Sequence, residues 1–314
     1  MEINKVYHLD FLENNLPDKC ANLIIADPPY FEVKGEFDFI WKSFEDYLKD
    51  VEKWAIECKR LLKENGTLLW FGDAKKIAYS QIIFDKYFDL LNSIVWENTN
   101  QHKQQIRFSK GLRSFAPITE RILMYSNETY NLTKCVFLIR DYIRQEIIKS
   151  KGKINNYDIN SVLGTATNGG GVASACLSLK KTEPAMITEE MYLKLQKWCE
   201  PFLSKKYEEL RLEYEELRRP FNNFENFGDV IRLPNYETKK FNHDTIKPEE
   251  LQRKLILTTT KENDLVVVPF AGSGTECAMA LKEKRNFIGF EIEEKHVETS
   301  NKRIEKIKSE PTLF

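Results

Sequence analysis

Four consecutive residues, Asp27-Pro28-Pro29-Tyr30, set a carboxylate and a phenol at the end of an apolar run, Leu23-Ile24-Ile25-Ala26. The run reads as a buried strand, and the C-terminal end of such a strand is where open α/β sheets place their ligands. Neither proline donates a ladder hydrogen bond, so the strand stops there and the loop stays stiff, aiming Asp27 and Tyr30 off the sheet edge. A strand that merely ends in a turn is the plainer reading of a Pro-Pro pair. A second motif lies near the other end of the chain, where Leu265-Val266-Val267-Val268 runs into Pro269-Phe270-Ala271-Gly272-Ser273-Gly274-Thr275 and then a helical stretch from Glu276 to Lys284. Glycines two apart let a backbone turn tightly and approach a ligand at a helix N-terminus. A further strand, Asn286 to Ile292, carries Glu291 about 20 residues past the glycines, the spacing at which a carboxylate accepts ribose hydroxyls. The pair points to a nucleotide-type cofactor beside an acid-and-aromatic loop.

These loops need strands and helices to hold them. Lys5 to Asp10 reads as a short strand ending in an acid, with Asp10 also able to cap a helix over Phe11 to Leu16. Ser43 with Asp46 looks like an N-cap, and Leu48, Val51, Trp54, Ala55, Cys58, Leu61 and Leu62 recur at helical spacing as far as Asn65-Gly66, a usual stop signal. Thr67 to Phe71 follows as a strand, which makes a β-α-β unit and a parallel pair. Gln81 to Tyr87 reads as a helix, and Ser93 to Trp96 and Arg121 to Tyr125 as strands. Between those strands, Gln101 to Thr119 holds Lys103, Arg107, Lys110 and Arg113 with Phe108 and Phe115 and no acid. Such a loop suits phosphate contact, although charge alone equally describes a solvated loop.

From Asn131 to Asn226 the texture becomes helical, with helices expected over Arg140 to Lys149, Tyr157 to Leu163 and Val172 to Leu179, and glycines between the last two. That pattern allows a helix-turn-helix with a long turn. Thr188-Glu189-Glu190 starts another helix. Tyr207, Leu210, Tyr214, Leu217 and Phe221 form a stripe that packs on its own domain or, alternatively, makes a dimer seam.

With 314 residues, 42% of them hydrophobic, the chain can bury a substantial core in one or two domains. Six cysteines without a C-x-x-C pair indicate neither a zinc site nor a disulfide framework, and fit a reducing, cytoplasmic setting. No signal peptide or membrane span is read. A net charge of −1 argues against a wholly basic nucleic-acid binder but leaves room for local basic surfaces.

The two motifs together resemble the β-class of S-adenosylmethionine-dependent DNA amino-methyltransferases, in which a D-P-P-Y motif precedes an F-x-G-x-G-T motif, as Asp27 to Tyr30 precedes Phe270 to Thr275 here. The resemblance covers both ends of the chain, about two thirds of it. It implies an α/β fold, a Rossmann-like mostly parallel sheet with one antiparallel hairpin. Residues 1–130 would form the catalytic half, 131–226 an inserted, mainly helical target-recognition domain, and 227–314 the cofactor half. It implies S-adenosyl-L-methionine bound by Asp10, Lys247, Phe270, Gly272, Gly274, Thr275 and Glu291, with Asp10 beside the adenine. Lys247 belongs to His243-Asp244-Thr245-Ile246-Lys247-Pro248, an H-x-x-x-K-P segment set against the cofactor's carboxylate end. Asp27, Pro28, Pro29 and Tyr30 would be catalytic, without a metal, on adenine N6 of a base flipped from double-stranded DNA. Lys103, Arg107, Lys110 and Arg113 would contact that DNA. Cytosine-N4 methylation is the alternative, because Ser-Pro-Pro-Tyr is only the commoner form in those enzymes. Glutamine methylation in a protein would call for Asn at position 27, and a non-catalytic DNA-binding regulator on this scaffold would not need the intact motifs. A homodimer and a cognate restriction endonuclease are open as partners. Residues around Asn168 to Ser178 are expected to read the DNA sequence.

Overall fold

Runs of β-branched and aromatic residues form the strands of one mixed sheet: β1 (Lys5–His8), β2 (Ala21–Ala26), β3 (Leu62–Gly72), β4 (Asp89–Asn98), β5 (Thr119–Ser126), β6 (Val230–Leu233), β7 (Leu265–Val268) and β8 (Asn286–Glu291). The helices are α1 (Phe44–Leu61), α2 (Ile77–Phe84), α3 (Leu132–Lys151), α4 (Asn156–Leu163), α5 (Val172–Cys176), α6 (Glu189–Cys199), α7 (Tyr207–Leu217), α8 (Glu249–Thr259), α9 (Thr275–Lys282) and α10 (Glu294–Ser309). These come from a computed structural model that describes residues 1–33, 40–100, 105, 108, 111–127, 132–168, 170–180, 185–236 and 246–309. The chain divides into two compact units, Met1–Thr129 with Pro220–Phe314, and Tyr130–Arg219.

The sheet belongs to the larger unit and has the order β1-β8-β7-β2-β3-β5-β4-β6. Every neighbouring pair is parallel except the two made by β5, whose hairpin with β4 is the antiparallel element. Side chains alternate across a strand, so each strand serves two cores. Ile24, Ala26, Leu68 and Trp70 face a layer with Val51, Trp54, Ala55 and Cys58 of α1 and Phe84 of α2. Leu23, Ile25, Leu69 and Phe71 face Leu255 of α8, Cys277 of α9 and Ile304 of α10. Burial on both faces explains why β2, β3 and β7 read as continuous apolar runs rather than alternating ones.

Helix α1 starts where the capping residue predicts, with the Asp46 amide donating to Ser43 Oγ at 3.1 Å. It ends four residues before the expected Asn65-Gly66 stop. Leu62 is already extended and pairs with Ala21, so ladder formation captures the chain first. Gly66 then lies inside β3, where an added Cβ would stand 2.6 Å from Leu62 Cδ1. The expected helix over Gln81 to Tyr87 likewise lies earlier, at Ile77–Phe84.

The smaller unit has its own core, with Ile139, Ile143 and Ile147 of α3 one turn apart against Ile159, Leu163, Tyr192, Leu195 and Leu210. The helix expected to reach Leu179 ends at Cys176. Its approach is braced by buried Asn160, whose Nδ2 donates to the Gly170 carbonyl at 3.0 Å and whose Oδ1 accepts from the Ala173 amide at 2.9 Å. Of the Tyr207 stripe, Leu210 is buried in this core with Tyr207 and Tyr214 packed against it, and the Tyr207 hydroxyl donates to the Ile187 carbonyl at 2.9 Å, whereas Leu217 and Phe221 are exposed. No helix among the described residues is long and apolar enough to cross a membrane.

Candidate active site

Strand direction decides what meets at the C-terminal edge of the sheet. Asp10 follows β1, Glu291 ends β8, the glycine loop follows β7 and Asp27 follows β2, so four adjacent parallel strands deliver these residues side by side. From β7 the chain passes through α9 to β8 on one side, and from β2 through α1 to β3 on the other. That reversal between β7 and β2 is a topological switch point, the place where α/β sheets leave a crevice. Because β5 alone runs the other way, its first residues, Thr119 and Glu120, arrive at the same edge.

Asp27 is the hub. Its Oδ1 accepts from the Tyr30 hydroxyl at 2.6 Å and its Oδ2 from Lys247 Nζ at 2.6 Å. The same ammonium lies 3.3 Å from Glu120 Oε2, and the Tyr30 and Phe71 rings each lie 5.5 Å from it. Lys247 is 6% exposed. Burial pulls its ammonium down, but Asp27 and Glu120 outweigh that and hold it above its ordinary value. Burial, then the charges of Asp27 and Glu120, keeps the Tyr30 phenol well above its usual range. Pro28 is buried. A small cleft beside Tyr30 is lined by Phe31, Tyr47, Gly72, Asp73, Lys76 and Ile77.

The glycine loop is held from three sides. Gly272 has φ +48° and Gly274 φ +71°, conformations that favour glycine. The Gly272 amide donates to Glu291 Oε2 at 2.8 Å, while Glu291 Oε1 accepts from the Glu293 amide at 2.8 Å. Ser300 of α10 donates to the Gly272 carbonyl at 2.7 Å, and Arg303 reaches Thr275 Oγ1 at 3.1 Å and Glu249 Oε1 at 2.5 Å. Phe270 stacks edge-on against Trp54, with centroids 5.0 Å apart. Gly289 completes the close packing, since an added Cβ there would stand 2.9 Å from Cys277 Sγ on α9.

Asp10 is exposed and caps the short 3-10 turn Phe11–Glu13, accepting from the Leu12 amide at 2.8 Å. The role as a cap, one of its two readings, is thus filled in this structure. Lys247 is brought to Asp27, at the same crevice, and His243, Asp244 and Thr245 lie outside the described residues. So do Lys103, Arg107 and Lys110 of the basic loop. Arg113 is exposed, its guanidinium 3.3 Å from the Gly111 and Leu112 carbonyls, and Phe115 stands fully in solvent.

Sequence reasoning missed Glu120, Glu276, Ser300 and Arg303. No motif marks them, and each acts across a sequence separation that only the fold closes. Glu276 sits in the first turn of α9, 5% exposed, accepting from Gln252 Nε2 at 2.7 Å. Burial, with Asp27's charge added, pushes its carboxyl up to about 7 from an ordinary 4.5, against the opposing pull of Lys247 and Arg303. The unfolded chain ionises Glu276 near 4.5, so its contribution to stability is complete below that pH and is lost as pH rises through 7. The loss amounts to roughly 3 kcal/mol. Glu276→Gln should therefore flatten the pH dependence: between pH 4 and 8, urea unfolding of wild type should lose roughly 3 kcal/mol more than the variant. Parallel curves for the two proteins would show that the carboxyl ionises normally in the fold.

A family model described as DNA methylase matches residues 21–302. The Type II methyltransferase M.HinfI of Haemophilus influenzae is 26% identical over 98% of this chain and 70% of its own length. The DNA adenine methyltransferase YhdJ of Escherichia coli (strain K12) is 24% identical over 97% of this chain and 83% of its own. Among solved structures, the M1.HpyAVI–SAM complex superposes with a TM-score of 0.52 at 19% identity, covering 96% of this chain and 98% of that one, a likeness of fold.

Proposed function

This chain belongs to the N6/N4 DNA methylase family, and from that premise we propose that it transfers a methyl group from S-adenosyl-L-methionine to adenine N6 of a base flipped out of double-stranded DNA. The observation that carries the reading is the position of Asp27: a carboxylate held by two donors at the switch-point crevice, next to the glycine loop. Adenine is favoured over cytosine by the aspartate of D-P-P-Y and by the similarity to YhdJ, which is named an adenine enzyme. Cytosine N4 is the alternative target within the same family.

The residues present fit this cofactor. The left-handed glycines open backbone at the N-terminus of α9, and Glu291 and Asp10 stand at the ends of the two strands beyond it. Phe270, Gly272, Gly274, Thr275 and Glu291 would hold the nucleoside portion, with Asp10 beside the adenine. When bound, the cofactor supplies a methyl group already activated on a sulfonium.

The difficulty lies with the acceptor. An exocyclic amino nitrogen has its lone pair delocalised into the base and attacks poorly. Asp27 and the Pro28 carbonyl, each accepting one of its N–H bonds, would draw the nitrogen toward tetrahedral geometry and free the pair. Tyr30 would bear on the base face, an interaction worth roughly 1–3 kcal/mol in comparable settings. Rate then comes from holding nitrogen and methyl in line. Within a duplex the nitrogen faces its partner base, so the target must leave the stack at a cost of a few kcal/mol that DNA contacts elsewhere offset.

The loop bearing Lys103, Arg107, Lys110 and Arg113 and the unit containing Asn168 to Ser178 are assigned to those contacts, the first to phosphates and the second to sequence. Neutralising the four cations should weaken DNA binding across all sequences and flatten its salt dependence. An unchanged slope of log affinity against log salt would remove the loop from the interface. The reading as a whole is tested by incubating purified protein, DNA and methyl-labelled cofactor and identifying the nucleosides by mass. Label in N6-methyl-2′-deoxyadenosine is expected; label in N4-methyl-2′-deoxycytidine selects the alternative, and none in either base rejects both.

A further inference from the structure

We propose that Phe115 is the wedge that enters the DNA stack when the target base leaves it, filling the gap between the flanking base pairs and stacking on the base left unpaired. The inference deepens the methyl-transfer reading above and rests on it, but it starts from side chains to which that reading gives no task. Phe108 is 84% exposed and Phe115 wholly exposed, and among the described residues no other phenylalanine is more than half exposed. Leu112, between them, is exposed as well. Apolar side chains scattered singly over a surface need no explanation, but three on one short stretch of one loop do.

The composition of the loop says what covers them. From Asn98 to Thr119 the chain carries Lys103, Arg107, Lys110 and Arg113 and no acid. The apolar face of a protein partner gains little from four cations. A polyanion with flat apolar rings inside it takes both features, its phosphates meeting the cations and its base faces the phenyl ring.

Strand register sets this loop on the reacting edge. Ala26 pairs with Trp70, and Trp70 with Leu123, so Asp27 is level with Ile122. Strand β5 lies two places from β2, roughly 10 Å at the usual strand spacing. Followed backward from Ile122, the chain leaves the sheet at Thr119 and comes to Phe115 four residues further out. Four residues span at most about 14 Å, so Phe115 stays within reach of the edge where Asp27 stands. The stem is stiff at its base. The Asn98 amide donates to the Ile118 carbonyl at 2.9 Å and closes the neck of the loop, while Asn98 Oδ1 accepts from the amides of Asn100 at 3.1 Å and Asn235 at 3.2 Å. Pro117 holds Ala116 extended.

The chemistry supplies the reason for a ring there. Extruding a nucleotide ends its stacking on both neighbours and leaves its partner base beside a hole. Side chains that enter between base steps are apolar, because they replace base faces. A phenyl ring does this without charge or hydrogen bonds, so it serves any flanking sequence.

The test uses the full chain, S-adenosyl-L-methionine and a synthetic duplex carrying a site that the wild-type chain methylates, located by sequencing with detection of modified bases. A second duplex has an abasic residue opposite the target base, so that no pair must break. With the enzyme in saturating excess, Phe115→Ala should slow single-turnover transfer about 50-fold on the paired duplex and no more than about threefold on the abasic one. Phe115→Trp, which keeps a stacking face, should return the paired duplex to within about fivefold of wild type. Unlike loss of the loop's cations, Phe115→Ala should leave the salt dependence of DNA binding unchanged, and the ring's full exposure means that stability should not move. No loss on the paired duplex, an equal loss on both duplexes, a loss that disappears at saturation, or a large loss in Phe108→Ala instead would overturn the assignment. A wild-type chain that methylates no DNA is a different outcome, and rejects the methyltransferase reading itself.

Discussion

Replacing Asp27 with alanine should lower single-turnover methyl transfer at least about 1,000-fold while cofactor and DNA affinities stay within a few-fold of wild type. The reason lies in where the carboxylate sits. It follows directly on β2, between a rigid Pro-Pro loop and the crevice, and the glycine loop hangs on the neighbouring strand β7. Most of the cofactor's contacts are assigned to that loop and to Glu291, and DNA contacts to the basic loop and the smaller unit, so the deletion should remove chiefly the interaction proposed with the reacting nitrogen. Stability will also respond. Asp27 is 18% exposed and accepts from a buried ammonium, and breaking such a pair costs about 3–5 kcal/mol. Asp27→Asn is the control, since it keeps the volume but exchanges one acceptor oxygen for a donor facing Lys247 or Tyr30. Both variants should be comparably slow, with the asparagine variant the less destabilised. A loss of cofactor affinity as large as the loss of rate would contradict this division of labour.

Strand ends were legible in the sequence because their signals are local. An apolar run broken by Pro28-Pro29, and another broken by Pro269 ahead of the glycine loop, mark where β2 and β7 stop, and the parallel sheet then places both stops on one edge. Caps were legible for the same reason: Ser43 and Thr188 each accept from the amide three residues on. Helix α8 spans Glu249–Thr259 and starts directly after Pro248, a residue that suits a helix entry because it lacks the amide a first turn leaves unpaired. The end of α1 was not legible, because Asn65-Gly66 is a sound local stop signal that lost to a tertiary event, the pairing of Leu62 with Ala21. Lys247 shows the larger difficulty. Its charge is visible in the sequence, but its partner Asp27 is 220 residues away and Glu120 lies on the one strand that runs backward. Periodicity carries no information on contacts of that kind. The same holds for Ser300 and Arg303, which sit on the charged helix α10 and turn inward onto the glycine loop.

Gly272→Val should raise the cofactor Kd about 100-fold or more and leave a folded protein, whereas Gly274→Ala should act mainly on the fold. The two glycines are two residues apart but differ in surroundings. Gly274 caps α9 with φ +71°, and an added Cβ would stand 2.9 Å from the Cβ and Oγ of Ser300, which is fully buried in α10. Even alanine there must push α10 away and disturb the serine that donates to the Gly272 carbonyl. Gly272, at φ +48°, is half-buried; its amide and carbonyl are already committed to Glu291 and Ser300. A β-branched residue in that left-handed conformation costs about 1–3 kcal/mol of strain, which a domain of this size can absorb. What it cannot absorb is a branched side chain on the stretch of backbone assigned to meet the cofactor. Calorimetric titration with S-adenosyl-L-methionine separates the cases, read beside thermal unfolding. If Gly272→Val bound the cofactor normally while losing stability, the loop would be a tight turn that holds α9 against α10, and the cofactor would have to be sought elsewhere along the edge.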